Sequence, residues 1–384
     1  MIPKPPLARP IFDLFPDLRV RAPFAELGTF PTPVERLSPL ESVGSAPIYA
    51  KRDDRSSVHY GGNKVRTLEG LFGEALSRGA TRIYSTGAYG TNHGLATILH
   101  ARRVGLEPGL IVFPQPASEC ALENLRTMLA LAPIVHDLPH WSALPFGMIA
   151  TRRDETNHGR VATIMMPGGA TAVGGLGYVN AALELATQIE RGELPRPSRI
   201  VVGVGSTCTS AGLLVGLRLA ASRGLGFTVP PIVHSVRVTP WPVTARFRIV
   251  GLAVDIAAHL AALVADPSLA YDADTLGARL ETDGSHLGFG YGFPTKEGRA
   301  TIARFRREFD WELDTTYSAK AASAALAIAR TEREPVLFWS TKSTSPLPHA
   351  NGDSLAAATP RMRRWIAAAE RTIAKRRSRG LTPG

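Results

Sequence analysis

Four short stretches of the 384-residue chain combine residue types and spacings that suit chemistry. In the first, Gly61 and Gly62 precede Asn63, Lys64 and Arg66. The glycines allow close backbone approach to a ligand, just before a lysine at the first turn of an expected helix. There the positive end of the helix macrodipole disfavours the ammonium, and a neutral lysine is a nucleophile toward a carbonyl. A surface lysine after a loop is the plain alternative. The second stretch, Ser85 to Gly94, places Gly87, Gly90, Thr91, Asn92 and His93 at a strand-to-helix junction. Its hydroxyl, amide and free backbone N–H groups suit a carboxylate, although Thr91 or Asn92 acting as an ordinary helix cap explains the same residues. The third runs from Gly203 through Gly205, Ser206, Thr207, Cys208 and Thr209 to Gly212. A strand, a turn of small hydroxyl residues and then a helix make a phosphate cradle, with a plain helix cap as the alternative. The fourth sets Tyr291 and Tyr317 at loop positions, where a ring can stack or a hydroxyl donate a proton. A lone tyrosine of this kind is also a common core residue.

The phosphate turn lacks nucleotide grammar. A dinucleotide fingerprint needs glycine where Cys208 stands, and a P-loop needs lysine after Gly212, where Leu213 follows. Cys208 has no local base and is assigned to packing or a weak phosphate contact. A carbonyl-reactive lysine, a phosphate cup, a carboxylate turn and aromatic hydroxyls are together explained by pyridoxal 5′-phosphate acting on an amino acid. No metal is expected, because His93 has no second ligand at metal spacing.

Composition bounds the rest. Apolar residues make up 44% of the chain and charged residues 20%, which is globular. Cys120 and Cys208 are the only cysteines, which excludes a disulfide framework and fits a reducing compartment. The formal net charge of +11 is concentrated in Arg361 to Gly384, where eight basic residues oppose Glu370 alone. That segment reads as a solvated basic C-terminal helix or tail; a nucleic-acid arm is the alternative, without any accompanying binding motif. Met1 to Pro6 is broken by prolines and does not resemble a signal peptide. The weakly charged run Ile200 to Leu217 is interrupted by Gly203, Gly205 and four hydroxyl residues, so a strand, turn and helix fit it better than a membrane span. A soluble cytoplasmic protein is expected.

These residues need elements to position them. Strands are expected at 82–85, 110–113, 134–136, 162–166, 200–202, 232–236 and 336–339, alternating with helices over 65–76, 95–99, 119–131, 179–189, 211–221, 301–309 and 319–329. Alternation implies parallel or mostly parallel sheets flanked by helices, with ligands at the carboxyl ends of strands. Residues 140–160 and 282–294 break the pattern and read as surface excursions or lids.

In order along the chain, Lys51 to Asp54, Gly61 to Arg66, Thr91 to His93, Pro167 to Gly169, the cup at 205–212, Gly290 to Gly298 and Leu313 to Lys320 resemble the D-cysteine desulfhydrase and 1-aminocyclopropane-1-carboxylate deaminase family. The resemblance spans roughly Pro31 to Pro346. It implies the two-domain α/β fold of tryptophan-synthase-β-like (type II) pyridoxal-phosphate enzymes, a homodimer, and a lyase. The larger cofactor-binding domain would comprise 1–79 and 168–384, and the smaller, substrate-side domain 80–167.

Residue by residue, the resemblance implies that Lys64 binds the cofactor aldehyde and takes the substrate α-proton. Asn63 stands beside it among the cofactor-binding residues. Asn92 would bond the cofactor's phenolic oxygen, and Gly205, Ser206, Thr207, Cys208 and Thr209 its phosphate. Thr91, Asn92 and His93 would meet the substrate, with Thr91 at the family's serine. Tyr291 and Tyr317 match active-site tyrosines, and Thr341 the hydroxyl residue facing the pyridine nitrogen. Departures bear on the substrate: Tyr89 or Gly90 replaces the family's glutamine, Lys342 and Ser343 replace a glycine pair, and Ser318 stands where the deaminase branch has a carboxylate. Ser318 therefore argues against cyclopropane ring opening, which needs the stronger electron sink. The expected activity is β-elimination and deamination of a small amino acid to a 2-oxo acid and ammonia. A deaminase, a β-replacement synthase, a racemase and a non-catalytic relic with a basic binding tail are the alternatives.

Overall fold

The computed structural model describes residues 9–131, 133–348 and 355–378; the Met1 to Pro6 stretch and Arg379 lie outside them. Among the described residues the strands are β1 (Val34–Arg36), β2 (Ile48–Arg52), β3 (Arg82–Ala88), β4 (Glu107–Phe113), β5 (Ile134–Asp137), β6 (Ala162–Ile164), β7 (Arg199–Val204), β8 (Ile232–Arg237), β9 (Leu280–Asp283) and β10 (Val336–Ser340). They form two sheets. One has the order β1-β2-β10-β7-β8-β9 and is parallel except for the β1–β2 pair. The other, β5-β4-β3-β6, is parallel throughout. Each sheet belongs to its own compact unit: the first unit is Met1–Gly70 with Ala170–Thr344, the second Leu71–Gly169 with Ser345–Gly384.

In the first unit the sheet is covered on both faces, and this is why its central strands read as unbroken apolar runs. Along β7, Ile200, Val202 and Val204 enter one core with the helices Ala172–Glu190, Cys208–Ser222 and Arg246–Val264. Val201, between them, enters the opposite core with the helices Lys296–Phe309 and Ser318–Ala329. The period of two continues in β10, where Leu337 and Trp339 face the first core and Val336 and Phe338 the second. The weakly charged run at 200–217 is thus a strand, a turn and a helix start. The helix Arg246–Val264 is the one long and apolar enough to cross a membrane among the described residues, and its Ile249, Ala253, Ile256 and Leu260 are buried in the first core.

Three expectations are corrected. Residues 140–160 are not an irregular excursion; they contain the helix Leu144–Asn157, which buries only Thr151 and Glu155 and so shows little apolar periodicity. The strands β1, β2 and β9 and the helix Arg246–Val264 were not anticipated; β9 extends into the 282–294 segment read as a loop. The helix Pro360–Ser378 falls with the second, smaller unit and not with the larger one, and the unit boundary lies at 70/71, inside the helix Asn63–Ser77. The reason is an apolar stripe, Met362, Ile366, Ala369 and Ile373, at helical spacing, which buries in contact with the helix Glu119–Ala130.

Within the first unit, four fully buried charged side chains tie the strand end at β2 to the start of the Asn63–Ser77 helix. Arg66 donates to Asp53 at 2.8 and 2.9 Å and to both oxygens of Glu184 at 2.9 Å. Lys51 donates to Glu184 at 2.5 Å and to Gln188 at 2.6 Å. The hydroxyl of Tyr178 and the indole N–H of Trp339 complete the shell of Asp53, at 2.7 and 2.8 Å. Two cations and two anions balance, so no net charge is buried. Burial by itself raises the carboxyls of Asp53 and Glu184, but Arg66 outweighs it and both end below the usual range. A carboxyl lowered in this way stabilises the fold fully above its unfolded pKa, near pH 4, and progressively less as acid titrates it. Asp53→Asn should therefore cost roughly 3–5 kcal/mol in urea denaturation at pH 7, because it leaves Arg66 with a buried, half-matched charge. Arg306→Gln, at an exposed pair with Glu312, should leave the midpoint unchanged.

Candidate active site

Lys64 is the second residue of the Asn63–Ser77 helix and is buried. Its approach is built by two glycines that nothing larger can replace. A Cβ on Gly61 would sit 2.2 Å from the Asp54 carbonyl oxygen, and one on Gly62, at φ +96°, would sit 2.7 Å from the Thr341 carbonyl oxygen. The Gly62 N–H donates to the Asp53 carbonyl at 2.7 Å and the Asn63 N–H to the Thr341 carbonyl at 2.9 Å. The lysine's turn is thereby pinned between β2 and the end of β10. The Lys64 ammonium donates to the Ser206 hydroxyl at 3.1 Å. Burial holds its amine below the ordinary lysine range, with the nearby Cys208 thiol opposing the shift. Desolvation thus adds to the dipole effect expected from position alone.

Ser206 lies in the turn between β7 and the helix Cys208–Ser222. The helix starts at Cys208, so Cys208 and Thr209 belong to its first turn. Thr207 stands at the N-cap without a side-chain capping bond. By contrast, the helices starting at Asn92, Glu119, Ala172 and Lys296 are capped by the side chains of Thr91, Ser118, Thr171 and Thr295. A helix start without a side-chain cap is a place where a helix dipole favours an anion. Asn63 joins this turn to the lysine's turn, its amide donating to the Thr209 hydroxyl at 3.0 Å. Cys208 is fully buried and its thiol is pushed up by burial, which fits packing and not a thiolate nucleophile.

Tyr317 closes over the same turn. A Cβ on Gly205 would lie 2.6 Å from the Tyr317 ring, and the Tyr317 hydroxyl shares a 2.8 Å hydrogen bond with that of Tyr291. Two residues outside the expected set hold this pair. Asp314 accepts from the backbone N–H groups of Thr316, Tyr317 and Ser318, each at 2.8 Å, and fixes the start of the Ser318–Ala329 helix. An aspartate four residues before that helix was a legible capping signal. Lys320 donates to the carbonyls of Leu287 and Gly290 at 2.8 and 3.3 Å and anchors the loop that carries Tyr291. Burial pulls its amine down to about 8. Thr341 is buried at the end of β10, and the Lys342 ammonium bonds the Tyr60 hydroxyl at 2.9 Å and lies over its ring.

The second unit holds the other expected residues. Thr91 caps the helix Asn92–Ala101 by accepting from the Gly94 N–H at 3.3 Å, which leaves its hydroxyl proton to donate elsewhere. The Asn92 side-chain oxygen accepts from Asn124 at 2.8 Å, and His93, the next residue, is buried. Asn124, also bonded to the Gly90 carbonyl at 2.9 Å, is a further residue of this turn that spacing could not reveal. Tyr89 is fully buried and donates to Asp137 at 2.6 Å.

Pyridoxal phosphate fits the residues of the first unit on two observations: a buried amine below its ordinary pKa, and an uncapped helix start reached through a glycine that a Cβ would block. Comparison with known proteins agrees. The family model described as "Pyridoxal-phosphate dependent enzyme" matches residues 25–341. The chain is similar to nocardicin C-9′ epimerase of Nocardia uniformis subsp. tsuyamanensis, at 31% identity over 84% of this chain and 93% of that protein. It is similar to D-cysteine desulfhydrase of Serratia proteamaculans, at 30% identity over 81% of this chain and 90% of that protein. Among solved structures it resembles an ACC deaminase homologue with a TM-score of 0.70 and 26% identity, covering 93% of this chain and 100% of that one.

Gly205→Ala should weaken pyridoxal 5′-phosphate binding by roughly 5- to 150-fold, since overpacking of this size costs about 1–3 kcal/mol. Absorbance titration of the apoenzyme measures it. Gly251→Ala, where a Cβ meets open space, should leave the affinity unchanged.

Proposed function

The chain belongs to the pyridoxal-phosphate dependent enzymes, and from that premise we propose that it is a lyase that eliminates a β-group from a small amino acid and releases a 2-oxo acid and ammonia. D-Cysteine is the substrate we assign. The observation that carries the reading is the buried Lys64 amine, 3.1 Å from Ser206 at the phosphate turn.

When bound, the cofactor withdraws electrons from the substrate's α-carbon and lowers the cost of removing its proton. Lys64 supplies the base. An amine held below its ordinary pKa spends more time neutral near pH 7, so it can take a proton and return it. The N–H groups at Cys208 and Thr209, with the hydroxyls of Ser206, Thr207 and Thr209, are assigned to the phosphate, and Asn63 keeps this turn in register with Lys64. Tyr317 and Tyr291 share one hydroxyl proton between them, which suits protonation of a departing thiolate. Thr341 is assigned to the pyridine nitrogen. A neutral hydroxyl there, together with Ser318 in place of a carboxylate, favours elimination over ring opening. On the smaller unit, Thr91, Asn92 and the N–H groups of their helix start are assigned to the substrate carboxylate, with Asn92 also to the cofactor's phenolic oxygen and His93 behind them. We place the enzyme in the cytoplasm as a homodimer.

One observation favours a second reading. A relative of 31% identity is an epimerase, and an enzyme that returns the α-proton to the opposite face needs the same lysine and phosphate turn. Incubation with D- and L-cysteine, D-serine and 1-aminocyclopropane-1-carboxylate separates the two. Release of oxo acid and ammonia from a cysteine or serine enantiomer supports the lyase. Inversion in deuterated water without oxo acid supports the epimerase. Lys64→Ala should abolish turnover and the visible absorbance of the bound cofactor. Tyr317→Phe should lower kcat by roughly 10²–10⁴-fold, the span of a lost acid–base group.

A further inference from the structure

The basic C-terminal segment is a built part of the smaller unit. Besides its buried stripe, the helix Pro360–Ser378 bonds the rest of the unit through its cations: Arg361 to the Asp137 carbonyl at 3.1 Å, Arg376 to the Ala117 carbonyl at 2.8 Å and, at the surface, Arg377 to Glu119 at 2.8 Å. Arg126 also pairs with Glu370.

Two separate routes lead from this helix to one dipeptide, Tyr89 and Gly90. In the first, the Thr359 hydroxyl donates to one oxygen of Asp137, and the other oxygen accepts the Tyr89 hydroxyl at 2.6 Å and pairs with the Arg361 guanidinium. In the second, the Trp365 indole N–H donates to the Gln115 carbonyl at 2.7 Å, and the Gln115 side chain accepts the Gly90 N–H at 3.0 Å. The Trp365 ring also stands edge-on to Tyr89, with centroids 5.4 Å apart. Asn124 in turn holds the Gly90 carbonyl and Asn92. Gly90 cannot yield, because even a Cβ there would sit 2.4 Å from the Ala121 Cα. Tyr89 and Gly90 run directly into Thr91 and Asn92. The chain travels more than 200 residues to bring Thr359 to Asp137 and Trp365 to Gln115, so the turn's conformation is fixed from outside its own sequence neighbourhood.

We propose that the C-terminal helix is a positioning element for the 89–92 turn: Thr359, Trp365 and Asp137 are positioning residues that hold the Tyr89–Gly90 backbone, and through it Thr91, Asn92 and the N–H groups behind them, in the form that receives an anionic group of the substrate. The mechanical part stands on the contacts alone. The consequence for catalysis rests on the assignment of this turn to the substrate carboxylate.

The test uses the full-length, cofactor-loaded enzyme with Trp365→Phe, which keeps the ring and removes the N–H, and Thr359→Val, which keeps the shape and removes the hydroxyl. Hydrogen exchange read by mass spectrometry should quicken roughly fivefold over residues 87–94, the equivalent of one net hydrogen bond, and stay unchanged over 144–157. KM for D-cysteine should rise by a similar factor with kcat nearly constant, and Thr359→Ser should restore both readouts. Unchanged exchange over 87–94 in both variants overturns the proposal. So does a fall in kcat without a change in KM. If the wild type turns over no D-cysteine, that sinks the substrate assignment, and exchange alone then decides the positioning role.

Discussion

The placement of Lys64 depends on the buried square of charge formed by Lys51, Asp53, Arg66 and Glu184. Asp53 acts at two levels. Its carboxylate is gripped by Arg66, Tyr178 and Trp339, and its backbone carbonyl takes the Gly62 N–H, two residues before the lysine. Arg66 lies two residues after Lys64 on the same helix. Lys64 is thus bracketed by the two ends of one ion-pair network, and its backbone has little freedom left. Such networks gain little net stability over an apolar packing of equal volume, since desolvation nearly cancels attraction. What this one supplies is geometry, because a buried charge that slips from its partner is costly.

The same square divides two buried lysines by task. Lys51 faces the Glu184 carboxylate, whereas Lys64 faces the Ser206 hydroxyl. Both amines lie below the ordinary range because both are desolvated. Of the two, Lys64 is the one set against a helix start that no side chain caps. Burial favours the neutral form of the Lys64 amine, and the neighbouring helix start is the kind of place where a dipole favours negative charge. At the two glycines before Lys64 and at Gly205, a Cβ would fall 2.2, 2.7 and 2.6 Å from a neighbouring atom, closer than side-chain carbons pack.

Much of this was legible because it is local. A glycine pair before a lysine, a glycine and hydroxyl turn between strand and helix, and tyrosines at loop ends each fit within ten residues of sequence. The alternation of strands with helices signalled parallel sheets covered on both faces, and β7 and β10 lie in one. What stayed hidden depends on distant partners. Nothing near Glu184 announces that it pairs with Lys51 and Arg66, and nothing near Lys320 announces the carbonyls it holds. The helix Leu144–Asn157 escaped notice because it buries too few residues to show a period. The basic tail misled for the opposite reason: charge dominated its composition, while four apolar residues on one face decided where it packs.

Borohydride reduction of the cofactor-loaded enzyme, followed by peptide mapping, tests most directly whether the buried amine beside the phosphate turn is the reactive one. The account requires the reduced pyridoxyl group on a single residue, Lys64, and none on Lys51, Lys320 or Lys342. A cofactor fixed to any other lysine, or a wild type that takes up pyridoxal phosphate without fixing it to residue 64, contradicts it.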